Sequence, residues 1–521
     1  MTMAAIDFFD RGWSMDPSKV AYRGVGEVWT YEQAGRLSCR IANRLLAEAG
    51  DGKATVAVLS PNSPKAWICV LGAWRADCTW VPLNPHNPVA ENAELLVRFD
   101  VDLVMYHPDL AQMVEEIKKI NGAAAPRMIA IGPGTSDPDL DEWTAAVSDT
   151  VPVVNHDPEA VVMLSPTGGT TGKPKGVMNT NRNIGVMVAH HMLALQYDRD
   201  GEAVNLAAAP MTHTAGMFSL QTTARGGTVV VVERAAPELI LPAIHEHRIT
   251  ELFLPPTVVY RLLEVLARED YDTSSLRYLM YAAAPMSLEK LKEGLRRLGP
   301  VFIECYGQME APAAISFLRP VEHMDGDQPA ADDRLASCGR PYPLVEVQIK
   351  DPESGAPLGP GETGEICVAG DLLMKGYYKD PAKTAETIVD GWLHTGDLGH
   401  VDEQGYLHLT DRKKDLIISG GFNVYPGEVE QVVWGHPAVE DCAVVGAPDP
   451  DWGERVTAVV ELKPGQNVTA GELRELCKQV LGPVRTPKDF MFVDELPRSV
   501  NGKVLKKDLR ETFWADSTQK I

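Results

Sequence analysis

Three things this chain has little of narrow its chemistry. Positive charge is scarce: 49 Lys and Arg face 72 Asp and Glu, for a formal net charge of -23 over 521 residues. Phosphate backbones select basic surfaces, so a nucleic-acid partner is excluded and any anionic substrate has to meet a local positive site. Cysteine is sparse and unpaired in pattern. Cys39, Cys69, Cys78, Cys305, Cys338, Cys367, Cys442 and Cys477 form no C-x-x-C pair and no metal-ligand spacing, which excludes a zinc ribbon or disulfide scaffold and predicts buried reduced thiols. Long apolar runs are missing as well. No stretch approaches eighteen uninterrupted apolar residues, and the first residues carry acids where a signal peptide has its apolar centre. A soluble, cytoplasmic protein without a membrane span is expected.

What is present starts with one stretch. Residues 163–177 read M-L-S-P-T-G-G-T-T-G-K-P-K-G-V, an apolar run that breaks into glycines, hydroxyls and lysines. Glycines let backbone N–H groups turn towards an anion, threonines add donors, and lysines bring charge to a polyphosphate. The apolar run 161–164 predicts a buried strand, which sets the loop at a strand's carboxyl end, where open α/β sheets bind ligands. A Walker A loop is rejected: Gly168 comes one residue too late before Gly172 and Lys173, and Pro174 stands where the metal-binding hydroxyl belongs.

Around this loop, apolar strand-like runs alternate with helical periodicity. Strands are expected at 54–59, 102–106, 127–131, 228–232, 251–254, 276–281 and 301–305, with helices between them, which argues for βαβ units and a largely parallel sheet. Residues 132–157, rich in Asp, Pro, Thr and Ser, predict a surface connection. Pro255-Pro256-Thr257, Ala282-Ala283-Ala284-Pro285 and Tyr306-Gly307 are expected just after strand ends, where a ligand crevice opens. Small alanines there admit a flat base or ring, or simply tight packing. Beyond Arg319 the pattern becomes turn-rich β structure, then a charged run, Asp411-Arg412-Lys413-Lys414-Asp415, before Leu416-Ile417-Ile418.

The string S-P-T-G-G-T-T-G-K-P-K-G resembles the signature loop of the adenylate-forming superfamily: acyl- and aryl-CoA synthetases, luciferases and the adenylation domains of peptide synthetases. Other segments follow in the family's order. Tyr306-Gly307-Gln308-Met309-Glu310 is similar to Y-G-x-T-E, Ser337 to Pro341 to S-V-G-R-P, Gly364-Glu365-Ile366 to G-E-I, Lys375-Gly376-Tyr377 to K-G-Y, and Gly391 to Asp397 to G-W-x-x-T-G-D. Ser419 to Asn423 matches S-G-G-x-N, and Pro497 to Lys503 matches P-R-T-x-x-G-K. The resemblance runs from Trp29 to Arg510.

It implies an α/β fold: a large N-terminal adenylation domain, residues 1–413, of mainly parallel sheets flanked by helices with a β-rich subdomain, and a small mobile α+β C-terminal domain, residues 414–521, after a hinge at Lys414. It implies an acid–CoA ligase of the acid–thiol class, using ATP, Mg²⁺ and coenzyme A on a small carboxylic acid, with a homodimer left open. The residues implied to hold ATP or AMP are Thr167, Gly168, Gly169, Thr170, Thr171, Gly172, Lys173, Ala283, Ala284, Pro285, Cys305, Tyr306, Gly307, Asp397 and Arg412. Glu310 is the implied metal ligand, which suits Mg²⁺ because that ion prefers a carboxylate and phosphate oxygens. Lys503, Glu310 and Thr170 are the implied catalytic set. The acyl pocket falls to His213, Met217, Phe218, Ala282, Met309, Ala313 and Ala314, and the CoA tunnel to Gly420, Gly421 and Phe422.

Met309 departs from the family threonine, and a thioether cannot donate to phosphate. His213 is open between a pocket wall and a structural histidine. Small alanines and flexible methionines suit a bulky apolar acid, aromatic or medium-chain. An amino-acid adenylation domain is disfavoured because no aspartate stands near Pro210-Met211-Thr212 to hold an ammonium, and the chain shows no carrier domain. A luciferase-like oxygenase, an adenylating enzyme with a different acceptor and a weakly active acyl-binding relative are the other readings.

Overall fold

The computed structural model describes residues 4–49, 53–167, 174–212, 214–282, 284–450, 452–498 and 504–514. Two sheets build the larger part of the molecule. In the first, nine strands run in the order 340–341, 311–318, 302–308, 278–281, 251–254, 204–207, 228–231, 20–24 and 27–30. The pairings from Phe302–Gln308 across to Val20–Gly24 are all parallel, while the flanking strands are antiparallel. The second has seven strands in the order 376–377, 175–180, 161–167, 79–82, 55–59, 103–106 and 127–130. Its parallel part again ends in antiparallel strands, Lys175–Thr180 and Gly376–Tyr377.

Helices cover both faces, which is why the central strands read as continuous apolar runs such as Val56-Ala57-Val58-Leu59, each fully buried. Helix Pro64–Arg75 begins at Ser63, whose hydroxyl accepts from the Ala66 N–H at 3.4 Å, with Pro64 at its first turn. Every residue from Ala66 to Arg75 is buried, so the helix is apolar on all sides. Trp67, Trp74 and Trp80 meet there edge to face, with centroids 5.5–5.7 Å apart.

After Arg340–Pro341 the chain forms an antiparallel five-stranded sheet from Val345–Lys350, Gly364–Gly370, Ile388–Val389, Trp392–Val401 and Leu407–Arg412. A further five-stranded sheet, from Ile417–Ser419 to Asp489–Val493, carries helices Pro426–Trp434, Ala470–Arg485 and Lys506–Trp514. This is the α/β architecture expected, with a β-rich portion and a smaller α+β portion. At the turn between them, contacts change sides. The Lys413 N–H donates to Gly396 O at 2.9 Å, whereas Lys414 O accepts from Arg510 Nη1 at 3.4 Å.

Two expected elements differ. Residues 132–157 are not a plain surface connection, for helix Leu140–Thr144 buries Leu140 and Trp143, and Trp143 Nε1 donates to Glu48 Oε1 at 3.0 Å. The strand expected to stop at Cys305 continues through Tyr306 and Gly307 to Gln308, because it pairs antiparallel with Ala311–Leu318. All eight cysteines are free and buried. Among the described residues, no helix is long and apolar enough to cross a membrane.

Candidate active site

Four sequence segments meet at the ends of these sheets. Strand Val161–Thr167 returns as Lys175–Thr180 in an antiparallel hairpin with Thr167 opposite Lys175, so residues 168–174 connect the hairpin's two arms. Gly168, Gly169, Thr170, Thr171, Gly172 and Lys173 lie outside the described residues, as do His213, Ala283 and Lys503. The hairpin's returning arm reaches the next segment: buried Asn179 donates through Nδ2 to Met309 O at 3.2 Å.

Met309 and Glu310 turn strand Phe302–Gln308 into Ala311–Leu318. Gly307 is required by packing. A Cβ there would stand 2.6 Å from Ala313 N and 2.7 Å from its Cα, and backbone cannot step aside as a side chain can. Glu310 is held from two directions: its Oε1 accepts from the Tyr377 hydroxyl at 2.7 Å and its carbonyl from the Met374 N–H at 2.8 Å. Lys175 Nζ sits 5.0 Å from the Tyr377 ring centroid, which brings a cation to the same corner.

Asp397 lies inside strand Trp392–Val401 and is 1% exposed. Gly396 before it takes φ +72°, which breaks the ladder and directs the aspartate inward. Its Oδ2 accepts from the Tyr306 hydroxyl at 2.8 Å and its Oδ1 pairs with Arg412 Nε at 2.8 Å. Burial, with the Asp397 charge beside it, pushes the Tyr306 phenol well up, so it stays a donor. Gln308 Nε2 donates to Thr395 O at 3.2 Å, and the Gly396 N–H to Glu365 Oε1 at 3.2 Å. Two ionised oxygens offer about four acceptor sites. A carboxylate at this place suits a pair of vicinal hydroxyls, which is the donor set of a ribose.

The expected acyl-pocket residues other than His213 share one apolar cluster, which extends through much of the larger part of the molecule. Met217 and Phe218 are buried on helix Thr214–Phe218, and the Phe218 ring stacks on Phe253 at 4.8 Å and 7°. Ala282, Met309 and Ala313 pack against that cluster, and Ala314 is fully buried within it. Ala284 is half-buried and Pro285 exposed, while Cys305 is buried. Gly420 and Gly421, at φ +58° and +82°, make the tight turn before Phe422, which is 55% exposed. Sequence reasoning did not assign Asn179, Gln308, Thr395 or Tyr377 to the site. Tyr377 and Thr395 carried a signal as members of the K-G-Y and G-W-x-x-T-G-D segments, Gln308 only as the variable position of Y-G-x-T-E, and Asn179 none.

Comparison with known proteins places the chain among relatives along nearly its whole length. The AMP-binding enzyme family matches residues 9–378 and its C-terminal domain residues 428–503. A medium/long-chain-fatty-acid–CoA ligase of Mycobacterium tuberculosis is 37% identical, over 92% of this chain and 85% of its own. A feruloyl-CoA synthase of an Amycolatopsis species is 35% identical, over 96% of this chain and 97% of its own. An amide bond synthetase from Marinactinospora thermotolerans superimposes with a TM-score of 0.88 at 34% identity, covering 98% of this chain and 99% of that one.

Proposed function

The chain belongs to the AMP-binding enzyme family, and from that premise we propose that it is an acid–CoA ligase acting on a bulky apolar carboxylic acid, aromatic or medium-chain. A carboxylate oxygen attacks the α-phosphorus of ATP and pyrophosphate leaves. The CoA sulfur then attacks the acyl carbon, AMP leaves, and the thiol proton passes to solvent. The observation that carries this reading is the grouping of Tyr306, Asp397 and Arg412 at one end of the Tyr306–Glu310 segment and of Glu310 with Tyr377 at the other, the latter joined to the 161–180 hairpin through Lys175 and, at Met309, through Asn179.

Each group has a task in this scheme. Asp397 and Arg412 hold the ribose, Thr167 and the loop after it hold phosphate, and Glu310 holds the metal, with the Tyr377 hydroxyl fixing one carboxylate oxygen. The Glu310 carboxyl fits Mg²⁺, which when bound supplies charge neutralisation between phosphate oxygens. Lys503 serves the first step by standing between carboxylate and α-phosphate, and Gly420, Gly421 and Phe422 face the thiol in the second. A pivot at Lys414, with domains at 1–413 and 414–521, exchanges the two arrangements.

The similarity to an amide bond synthetase favours one second reading, in which the adenylate is passed to an amine. Incubation with ATP, Mg²⁺ and a panel of benzoate, cinnamate, arylpropionate and C6 to C12 acids, with CoA or with amines, separates the two. Acid-dependent AMP with a thioester product supports the ligase. Amide without thioester establishes the second reading, and no acid-dependent AMP refutes both.

A further inference from the structure

Strand Phe302–Gln308 and its partner are out of step at the site. Tyr306 pairs with Ser316 but Gln308 with Ala311, so two steps on one strand span five on the other. The extra residues form a bulge in which Ala313 takes φ +41°, a left-handed conformation costly for a residue with a Cβ. A bulge also removes carbonyls from the ladder, and buried carbonyls need donors. Here two come from a helix outside the sheet and one from the residue after the edge strand 340–341. His191 Nε2 lies 3.2 Å from Ala313 O, His190 Nδ1 lies 2.7 Å from Ala314 O, and the Tyr342 N–H donates to Ile315 O at 3.0 Å.

We propose that His190 and His191, consecutive on helix Asn181–Ala194, are positioning residues that clamp this bulge and so set the acid-binding wall at Ala313 and Ala314. The clamp reaches both halves of the expected pocket, since the His191 ring also lies 4.7 Å from the ring of Phe218. It reaches the nucleotide motif too, because Ala313 backbone is what denies Gly307 a side chain. Ring contacts alone do not explain a histidine at 191. His191 is 0% exposed, its Nε2–H is committed to Ala313, and its Nδ1 has no hydrogen-bond partner among the described residues. A buried acceptor left unpaired is destabilising, so phenylalanine packs at this position at lower cost in every respect except the bond to Ala313. His190 is satisfied at both nitrogens, for its Nε2 accepts from the Leu344 N–H at 3.1 Å.

The inference rests on the acid-ligase reading, and its test separates the two. His191→Phe keeps the ring and removes the donor. Expected are a Tm within a few degrees of the parent's, because the unpaired Nδ1 disappears as Ala313 O loses its donor, a 5- to 20-fold rise in KM for the acid with a smaller change for ATP, and faster amide hydrogen exchange across 311–318. His191→Gln, which returns an N–H near the Nε2 position, restores KM in part. Glycine adopts left-handed φ freely, so Ala313→Gly added to His191→Phe recovers at least threefold of the lost KM. Parent-like KM and exchange in His191→Phe overturn the clamp, as does a defect that Ala313→Gly leaves untouched. Exchange is read without turnover. A parent inactive on every acid refutes the functional reading, while exchange still decides the clamp.

Discussion

Replacing Asp397 by asparagine tests the ribose site at the atom that defines it. The amide is nearly isosteric with the carboxylate but leaves one oxygen to accept and places N–H₂ where the other stood. Tyr306 and Arg412 now occupy different oxygens at 2.8 Å each, so one of them loses its acceptor. The Arg412 side chain is 41% exposed, which limits that pair to about 0.2–1 kcal/mol, whereas the buried Tyr306 bond to an ionised acceptor is on the order of 1.5–3 kcal/mol. A ribose hydroxyl that loses the charged acceptor forfeits a similar amount, about 2 kcal/mol, or roughly 30-fold in KM for ATP. The assay is pyrophosphate exchange with ATP, 2′-deoxy-ATP and 3′-deoxy-ATP on parent and variant, with circular dichroism to confirm folding. The parent discriminates about tenfold or more against a nucleotide lacking a bonded hydroxyl. Asp397→Asn discriminates near unity at the hydroxyl whose acceptor is gone. If parent and variant show the same ratios for both deoxynucleotides, Asp397 does not touch ribose and the site assignment falls.

Three further outcomes are expected. Gly307→Ala drives a Cβ to within 2.6–2.9 Å of Ala313 and Ala311 backbone, so AMP formation falls at least tenfold and Tm drops measurably; a parent-like variant shows that the hairpin tolerates separation there. Met309→Thr restores a hydroxyl near the phosphates and speeds adenylation of small acids by up to the effect of one charged hydrogen bond, about 1.5–3 kcal/mol, while unchanged kinetics on every acid places position 309 away from phosphate. The third concerns pH. Burial pushes the Glu304 carboxyl up to about 8, against hydrogen bonds with Cys338 and Tyr281, and burial pushes His323, 3.2 Å from the Tyr281 hydroxyl, down to about 4. Between these values and the unfolded ones the two act oppositely: His323 makes stability rise with pH up to about 6.5, and Glu304 makes it fall from about 4.5 to 8 because the unfolded chain releases a proton the native state keeps. Of these two, only Glu304 contributes from pH 6.5 to 8, at about 2 kcal/mol. Glu304→Gln therefore flattens the Tm decline over that interval, and an undiminished decline assigns it elsewhere.

Local chemistry made part of this protein legible from its sequence. A glycine, threonine and lysine tract after an apolar run describes a loop around an anion wherever it occurs, and buried parallel strands announce themselves as unbroken apolar runs. Tyr306, Glu310, Asp397 and Arg412 were legible as segments in a fixed order. Their pairings were not, because each bond joins residues far apart in the chain: Tyr306 to Asp397 across 91 positions, Glu310 to Tyr377 across 67, Asn179 to Met309 across 130. Gly307 misled the strand boundary for a related reason. A glycine reads as a breaker when only its own backbone is considered, yet here it lies within a strand because the neighbouring bulge fills the space of its side chain. The histidines at 190 and 191 carry no local signal, sitting on a helix whose other residues are ordinary; only the packing of that helix on a left-handed alanine gives them a task. Composition and order determined the loop, the strands and the family to which the chain belongs. Tertiary contact decided which side chain completes each site group, since a hydrogen bond depends on separation in space and the sequence records only separation along the chain.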